Sequence, residues 1–235
     1  MDNANNLILQ TTKEIFLNAV ENGDLKTVLT LIEDAGDNAY ALVSAQDNLR
    51  STALMYAAEN GHTEIVNALI KAAGDNASTL VSVTQPYVGY TTLMYAAETG
   101  NAEIVNALIK AAGDNASTLV SVAQKYTGHT ALYYACRWQR NKEIAFALMD
   151  AMQSEEAVCA LKTHPDIGPF AAQYIDAKYN LIFETFSNMP ALTHEKGPSG
   201  LMLIYAGLKN EKQKRRSEEE SAEEQTENLS KKPRI

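Results

Sequence analysis

Cysteine is nearly absent from this 235-residue chain, which holds only Cys136 and Cys159. Two thiols cannot build a disulfide framework, and that usage fits a reducing compartment. No stretch approaches 18 consecutive apolar residues and no charged-then-apolar leader opens the sequence, so a soluble protein without a membrane span is expected. Basic residues are also in short supply, 20 against 29 acidic, for a net charge of −9. Residues 1–209 carry all of that excess, with 22 acidic and 13 basic side chains. So acidic a body argues against binding a nucleic-acid backbone, which needs clustered Lys and Arg. The residues of catalysis are scarce too. His62, His129, His164 and His194 form neither an i, i+4 pair nor a Cys/His cluster with metal-ligand spacing. There is no glycine-rich phosphate loop and no nucleophile elbow. No catalytic, metal or cofactor-binding residue is assigned, and a non-enzymatic protein is expected.

What the sequence does have is repetition. Residues 51–89 and 90–128 align without a gap as one 39-residue unit and agree at 31 positions. A third copy runs from His129 to Lys162 and keeps Thr130, Leu132, Tyr134 and Ala135 in register. One extra residue falls in its turn before Glu143, after which Ile144, Leu148 and Met149 match at an offset of 40. An N-terminal copy matches at an offset of 38 through Ala19, Glu21, Gly23, Val28, Leu31 and Ile32. A unit this short cannot enclose its own core, so it must stack on its neighbours as a solenoid.

Within the unit the apolar spacing is helical. Leu54, Ala57 and Ala58 form one short stripe, and Ile65, Val66, Leu69 and Ile70 form a second. Thr52 can cap the first helix, and Gly61 suits the turn between the two. Thr11-x-x-Glu14 reads as a capping box at the start of the array. The unit is therefore helix, turn, antiparallel helix and return loop.

The motif Thr-x-Leu-x-x-Ala-Ala-x-x-Gly followed by Glu-Ile-Val-x-x-Leu-Ile resembles the ankyrin repeat, over roughly residues 12–165. The family's Thr-Pro-Leu-His opening is replaced by Thr-Ala-Leu-Met (52–55), Thr-Thr-Leu-Met (91–94) and Thr-Ala-Leu-Tyr (130–133), which removes the histidine-mediated bonds between repeats. The period exceeds the family's, about 33, by six residues that follow Gly74 and Gly113. In GDNASTLVSV, Asp75 or Asn76 can cap a short helical turn, with Leu80, Val81 and Val83 packing back on the stack. The resemblance implies an all-α, ankyrin-type solenoid with lengthened return loops, acting as a scaffold that binds a protein partner in its concave groove.

In that family the groove is formed by inner helices and hairpin tips, and residues after Ala-Ala often touch partners. Here those are Glu59 and Asn60, Glu98 and Thr99, and Arg137 and Trp138, with Tyr87, Tyr90, Tyr126 and His129 at the tips. Tyr56, Tyr95 and Tyr134 recur at one position of the first helix. They are either partial core or an aromatic stripe along the groove. Cys136 takes the place of Ala97 and is expected to be a buried, unreactive thiol.

The expected organisation is an array of four repeats over 1–165, a degenerate repeat with a capping helix over 166–210, and a disordered charged tail over 211–235. The tail sorts its charges into KQKRR (212–216), six glutamates between 218 and 227, and KKPR (231–234). The glutamate block resembles that of ankyrin-bearing effectors delivered by type IV secretion from intracellular bacteria. The basic blocks fit nuclear import. Effector delivery into a host cytoplasm or nucleus is thus one reading, and an ordinary intracellular adaptor or inhibitor is another. An enzyme with a site hidden in 165–209 is the third. A monomer is expected.

Overall fold

The computed structural model describes residues 2–139, 141–154, 157–158 and 161–187, with side chains from Gln10 to Lys178 apart from Trp138 and Gln139. Among the described residues there is no β-strand, only the isolated antiparallel bridges Gln46–Thr52, Thr84–Thr91 and Ala123–Thr130. The chain divides into two units, Met1–Ile175 and Asp176–Ile235. The first carries the repeats. Of the second, the described part is the end of one helix. Residues 197–210 and the tail lie outside the described residues.

Three rows of helices build the array. The first row is α1 (Asp2–Glu21), α4 (Ala53–Glu59), α7 (Thr92–Thr99) and α10 (Ala131–Tyr134). The second is α2 (Leu25–Ala35), α5 (Thr63–Ala73), α8 (Ala102–Ala112) and α11 (Lys142–Ala151). Each helix packs against its counterpart in the next repeat. Ala57, Ala58, Ala96 and Ala97 are fully buried between first-row helices, where only a methyl group allows close approach. Ile65, Val66 and Leu69 are buried from α5, as are Ile104, Val105 and Leu108 from α8. Thr52 and Thr91 cap α4 and α7 by accepting from the amides of Met55 and Met94 at 3.2 Å. Those methionines stand where the family has histidine, and both are buried. Gly61 and Gly100 turn the chain between rows at φ of 73° and 75°, a region costly for any residue with a Cβ.

The third row is the extra segment of the long repeat. After the 3₁₀ turns Gly36–Asn38, Gly74–Asn76 and Gly113–Asn115 come α3 (Ala39–Val43), α6 (Ala77–Val81) and α9 (Ala116–Ser121). Each packs on the second-row helix of the following repeat. Leu80 and Val81 are buried, and Val83 is half-buried. Asp75 and Asn76 do not cap this helix: α6 continues directly from the 3₁₀ turn with no side-chain cap. The segment instead clasps the next repeat. Ser78 Oγ donates to the Ala112 carbonyl at 3.1 Å, Asn115 Nδ2 donates to Ser78 Oγ at 3.0 Å, and Ser117 Oγ donates to the Met152 carbonyl at 3.2 Å. Orphan carbonyls at the ends of α8 and α11 are thereby satisfied from the preceding repeat.

Two further expectations need correction. Thr11 and Glu14 do not open a helix, because α1 begins at Asp2 and both lie in its interior. The extra residue of the fourth repeat does not lengthen a loop. It is absorbed in a π-helical turn over Ala135–Gln139, so the Asn141 amide donates six residues back to the Ala135 carbonyl. His62 and Asn101 reach only five back, to Ala57 and Ala96. The first unit closes with the opening turns of α12 (Gly168–Ser187), where Ala171, Tyr174 and Ile175 are buried. Tyr174 Oη donates to Asp150 Oδ1 at 2.6 Å, and its ring meets Phe146 edge-on.

Candidate protein-binding surface

Three hairpins precede α4, α7 and α10. Their heads are Asp47, Gln85 and Gln124, at equivalent places in successive repeats. Asp47 Oδ1 accepts from the amides of Leu49 and Ser51 at 2.9 and 2.7 Å, folding the first loop around the carboxylate. The Gln124 side chain does the same for Thr127, accepting from its amide at 2.8 Å and from its hydroxyl.

The recurrent tyrosines brace these heads. Tyr56 Oη donates to Asp47 Oδ2 at 2.6 Å. Donation to the carboxylate, followed by burial and the Asp47 charge, pushes the Tyr56 pKa up to about 12. Tyr95 Oη donates to Gln85 Oε1 at 3.3 Å, and Gln85 Nε2 donates to Ser51 Oγ at 2.7 Å, joining two hairpins. Tyr90 Oη donates to Tyr134 Oη at 2.7 Å. Tyr134 is only 5% exposed and belongs to the packing, while Tyr56, Tyr90 and Tyr95 are half-buried. The rings of Tyr95, Tyr90 and Tyr134 follow one another with centroids 5.0 and 5.6 Å apart. His129 stacks on Tyr133 at 3.6 Å, and Tyr133 turns an edge to His164.

The tips beyond this brace are open. Leu49, Tyr87 and Tyr126 are 68, 65 and 73% exposed, one on each successive hairpin. Their repetition separates them from scattered surface apolar groups. At the ends of the first-row helices Glu59, Asn60, Thr99 and Arg137 are exposed, and Glu98 is half-buried. Asn60 and Thr99 bend back to the carbonyls of Tyr56 and Tyr95 at 3.0 and 3.1 Å. Arg137 Nη1 lies 3.4 Å from Asp166 Oδ1. Arg137 and Trp138 both ride on the π-helical turn, and the Trp138 side chain lies outside the described residues.

Tyr133, His164, Leu49 and the Asp47/Gln85/Gln124 heads were not legible as members of this surface from residue type. The heads could have been found by reading the period through the hairpins. Cys136 is buried, and burial followed by the Asp166 charge pushes its thiol up to about 12, leaving it protonated and unreactive at neutral pH. Among the described residues no three His, Cys, Asp or Glu converge as metal ligands would. No described helix is long and apolar enough to cross a membrane.

Stacked helical hairpins whose tips project from one side define a solenoid interaction module. A family model described as ankyrin repeats (3 copies) matches residues 16–117 and 80–160, and the chain belongs to that family. Ankyrin-repeat proteins are generally non-enzymatic scaffolds for protein–protein interaction. No curated protein matches the chain.

Proposed function

We propose that this protein binds a protein partner across its hairpin tips and first-row helix ends, without catalysing a reaction. The observation that carries the reading is the open row Leu49, Tyr87 and Tyr126, a large side chain left exposed on each of three successive hairpins. Tyr56, Tyr90, Tyr95, Tyr134 and His129 act beneath it as the frame. Glu59, Asn60, Glu98, Thr99 and Arg137 supply the polar flank, and we include Trp138, the next residue in the chain. Replacing Leu49, Tyr87 and Tyr126 by Ser is expected to leave helical circular dichroism and melting temperature unchanged while abolishing capture of the partner. Retained capture would refute the assignment.

The finer reading is an effector acting inside a host cell. It is supported by the separation of a charge-sorted tail from the repeats. Changing Glu218, Glu219, Glu220, Glu223 and Glu224 to Gln should stop delivery of a fused reporter and leave partner affinity intact. Normal delivery of the variant would overturn the glutamate block as the signal, and no delivery of the unchanged tail would leave an ordinary adaptor.

A further inference from the structure

His164 is built into the turn that opens α12. It follows the 3₁₀ turn Leu161–Thr163. Its Nδ1 accepts from the amides of Asp166 and Ile167 at 3.2 and 3.3 Å, so the neutral ring carries its hydrogen on Nε2. The His164 carbonyl accepts from the Gly168 amide at 2.8 Å, and a Cβ on Gly168 would clash with the Lys162 carbonyl, so the turn is tightly wound. A charged imidazole carries hydrogen on both nitrogens, and Nδ1 would then point a donor at two donors. His62 gives the contrast: its ring meets the Glu21 carbonyl, an acceptor that a charged ring also satisfies.

The charges around His164 do not offset that loss. Asp166, two residues on, favours a charged ring but is paired with Arg137 of the π-helical turn at 3.4 Å. Lys162, exposed in the 3₁₀ turn, opposes the charge. From α10, Tyr133 presents an uncharged ring at 6.2 Å, and His129, stacked on that same ring, adds a second positive charge when it too is protonated. The Cys136 thiol, which feels Asp166, stays neutral. Two amides left facing a donor cost more than one partly exposed, already paired carboxylate returns.

We infer that His164 is a pH-sensitive latch on the C-terminal end of the array: while neutral it holds the turn over 161–168 closed, and on protonation it releases that turn and the opening of α12 from the fourth repeat. The sign follows from the bonds. The folded turn favours the neutral ring, so the hold is complete above the imidazole range and is lost as pH falls through it. The contacts of Tyr174 with Phe146 and Asp150 lie next along the same helix and loosen with it.

The test uses the full chain at about pH 7.5 and about pH 5.5, on either side of the imidazole range. Amide hydrogen exchange, corrected for the intrinsic effect of pH, reads the opening, and nitrogen NMR of the imidazole reads its charge. Protection over 166–175 should fall about tenfold in acid, the scale of one or two lost hydrogen bonds, while that of α5 and α8 holds. The ring should pass from its Nε2–H form to the doubly protonated form over the same range. His164→Asn puts a neutral acceptor, Oδ1, where Nδ1 stood, and should keep protection alike at both pH values. His164→Ala removes the acceptor and should leave the segment poorly protected at both. Unchanged protection in the wild-type chain would overturn the inference. So would an equal fall in His164→Asn, which would move the cause to His129 or to the Tyr174–Asp150 bond. If neither variant folds, the wild-type chain still decides, because a charged ring with the segment still protected refutes the latch.

Discussion

The second and third repeats share every large core residue, and most of their eight differences fall at the joints with their neighbours. Ser51 of the second accepts from Gln85, whereas Tyr90 of the third donates to Tyr134. His62 lies 3.1 Å from the Glu21 carbonyl, and its counterpart Asn101 donates to Thr63 Oγ1 at 3.1 Å. Lys125 uses its amide to reach the Val88 carbonyl at 3.0 Å, while Pro86 at the same place has no N–H to offer. Identity therefore builds the unit, and difference decides what it stacks upon. Such joints guard a nearly duplicated sequence against stacking in the wrong order, since a displaced repeat would leave polar groups unpaired. The added third row works otherwise: Ser78 and Ser117 are identical and clasp successive repeats by one rule.

The twin cores give the largest expected effect. Leu69 and Leu108 are fully buried, so truncating either to Ala should cost about 2–5 kcal/mol in urea unfolding. Because their surroundings are duplicated, the two losses should agree within about 1 kcal/mol, less than the spread expected between unlike sites. An unchanged midpoint would contradict the stack. A wide gap would mean that the joints reach into the core.

The hairpins break the twinning more sharply. Gly89 and Gly128 have φ of 77° and 71°, so Ala at either costs about 1–2 kcal/mol of left-handed backbone strain. A Cβ on Gly89 would also lie 2.9 Å from the Lys125 amide, whereas one on Gly128 meets nothing within 4 Å. Gly89→Ala should therefore cost about 1 kcal/mol more than Gly128→Ala, the worth of the disturbed hydrogen bond. Equal midpoints would show that the hairpins are not held to each other.

The period and the apolar spacing made the helix pairs legible, because each core residue recurs with its whole local surroundings. The joints were less legible. Their partners lie about one period away, and single polar residues such as Ser51 or Asn101 carry no mark of which neighbour they will meet. The GDN segment misled in a particular way: Asp and Asn before a short helix suggest a cap, but the preceding 3₁₀ turn already supplies the helical start. The π-helical turn was hidden for a related reason. An inserted residue reads as loop growth unless the backbone ladder that absorbs it is seen. Of the candidate surface, the tip aromatics Tyr87 and Tyr126 were visible from the repeat pattern. Tyr134 is buried, and its hydroxyl accepts from Tyr90, 44 residues away.

The smallest effect concerns Glu98 in the last turn of α7, which feels the charge of Glu59 one repeat before. Glu98 is raised by burial first and then by Glu59, so the folded chain holds this proton to higher pH than the unfolded chain does. The folded state is thus favoured while the group is protonated, and that advantage is lost as pH rises through the raised value. Glu98→Gln removes the cost of the charge. It should therefore raise the melting temperature at neutral pH, with a gain in stability of no more than about 0.5 kcal/mol because the partly exposed site is screened. The gain should fade in acid, where the wild-type carboxyl is already neutral. It should also shrink in a Glu59→Gln background, since the second cause of the shift is then gone. A variant less stable than wild type at neutral pH would mean that the interactions of the Glu98 carboxylate outweigh the cost of its charge.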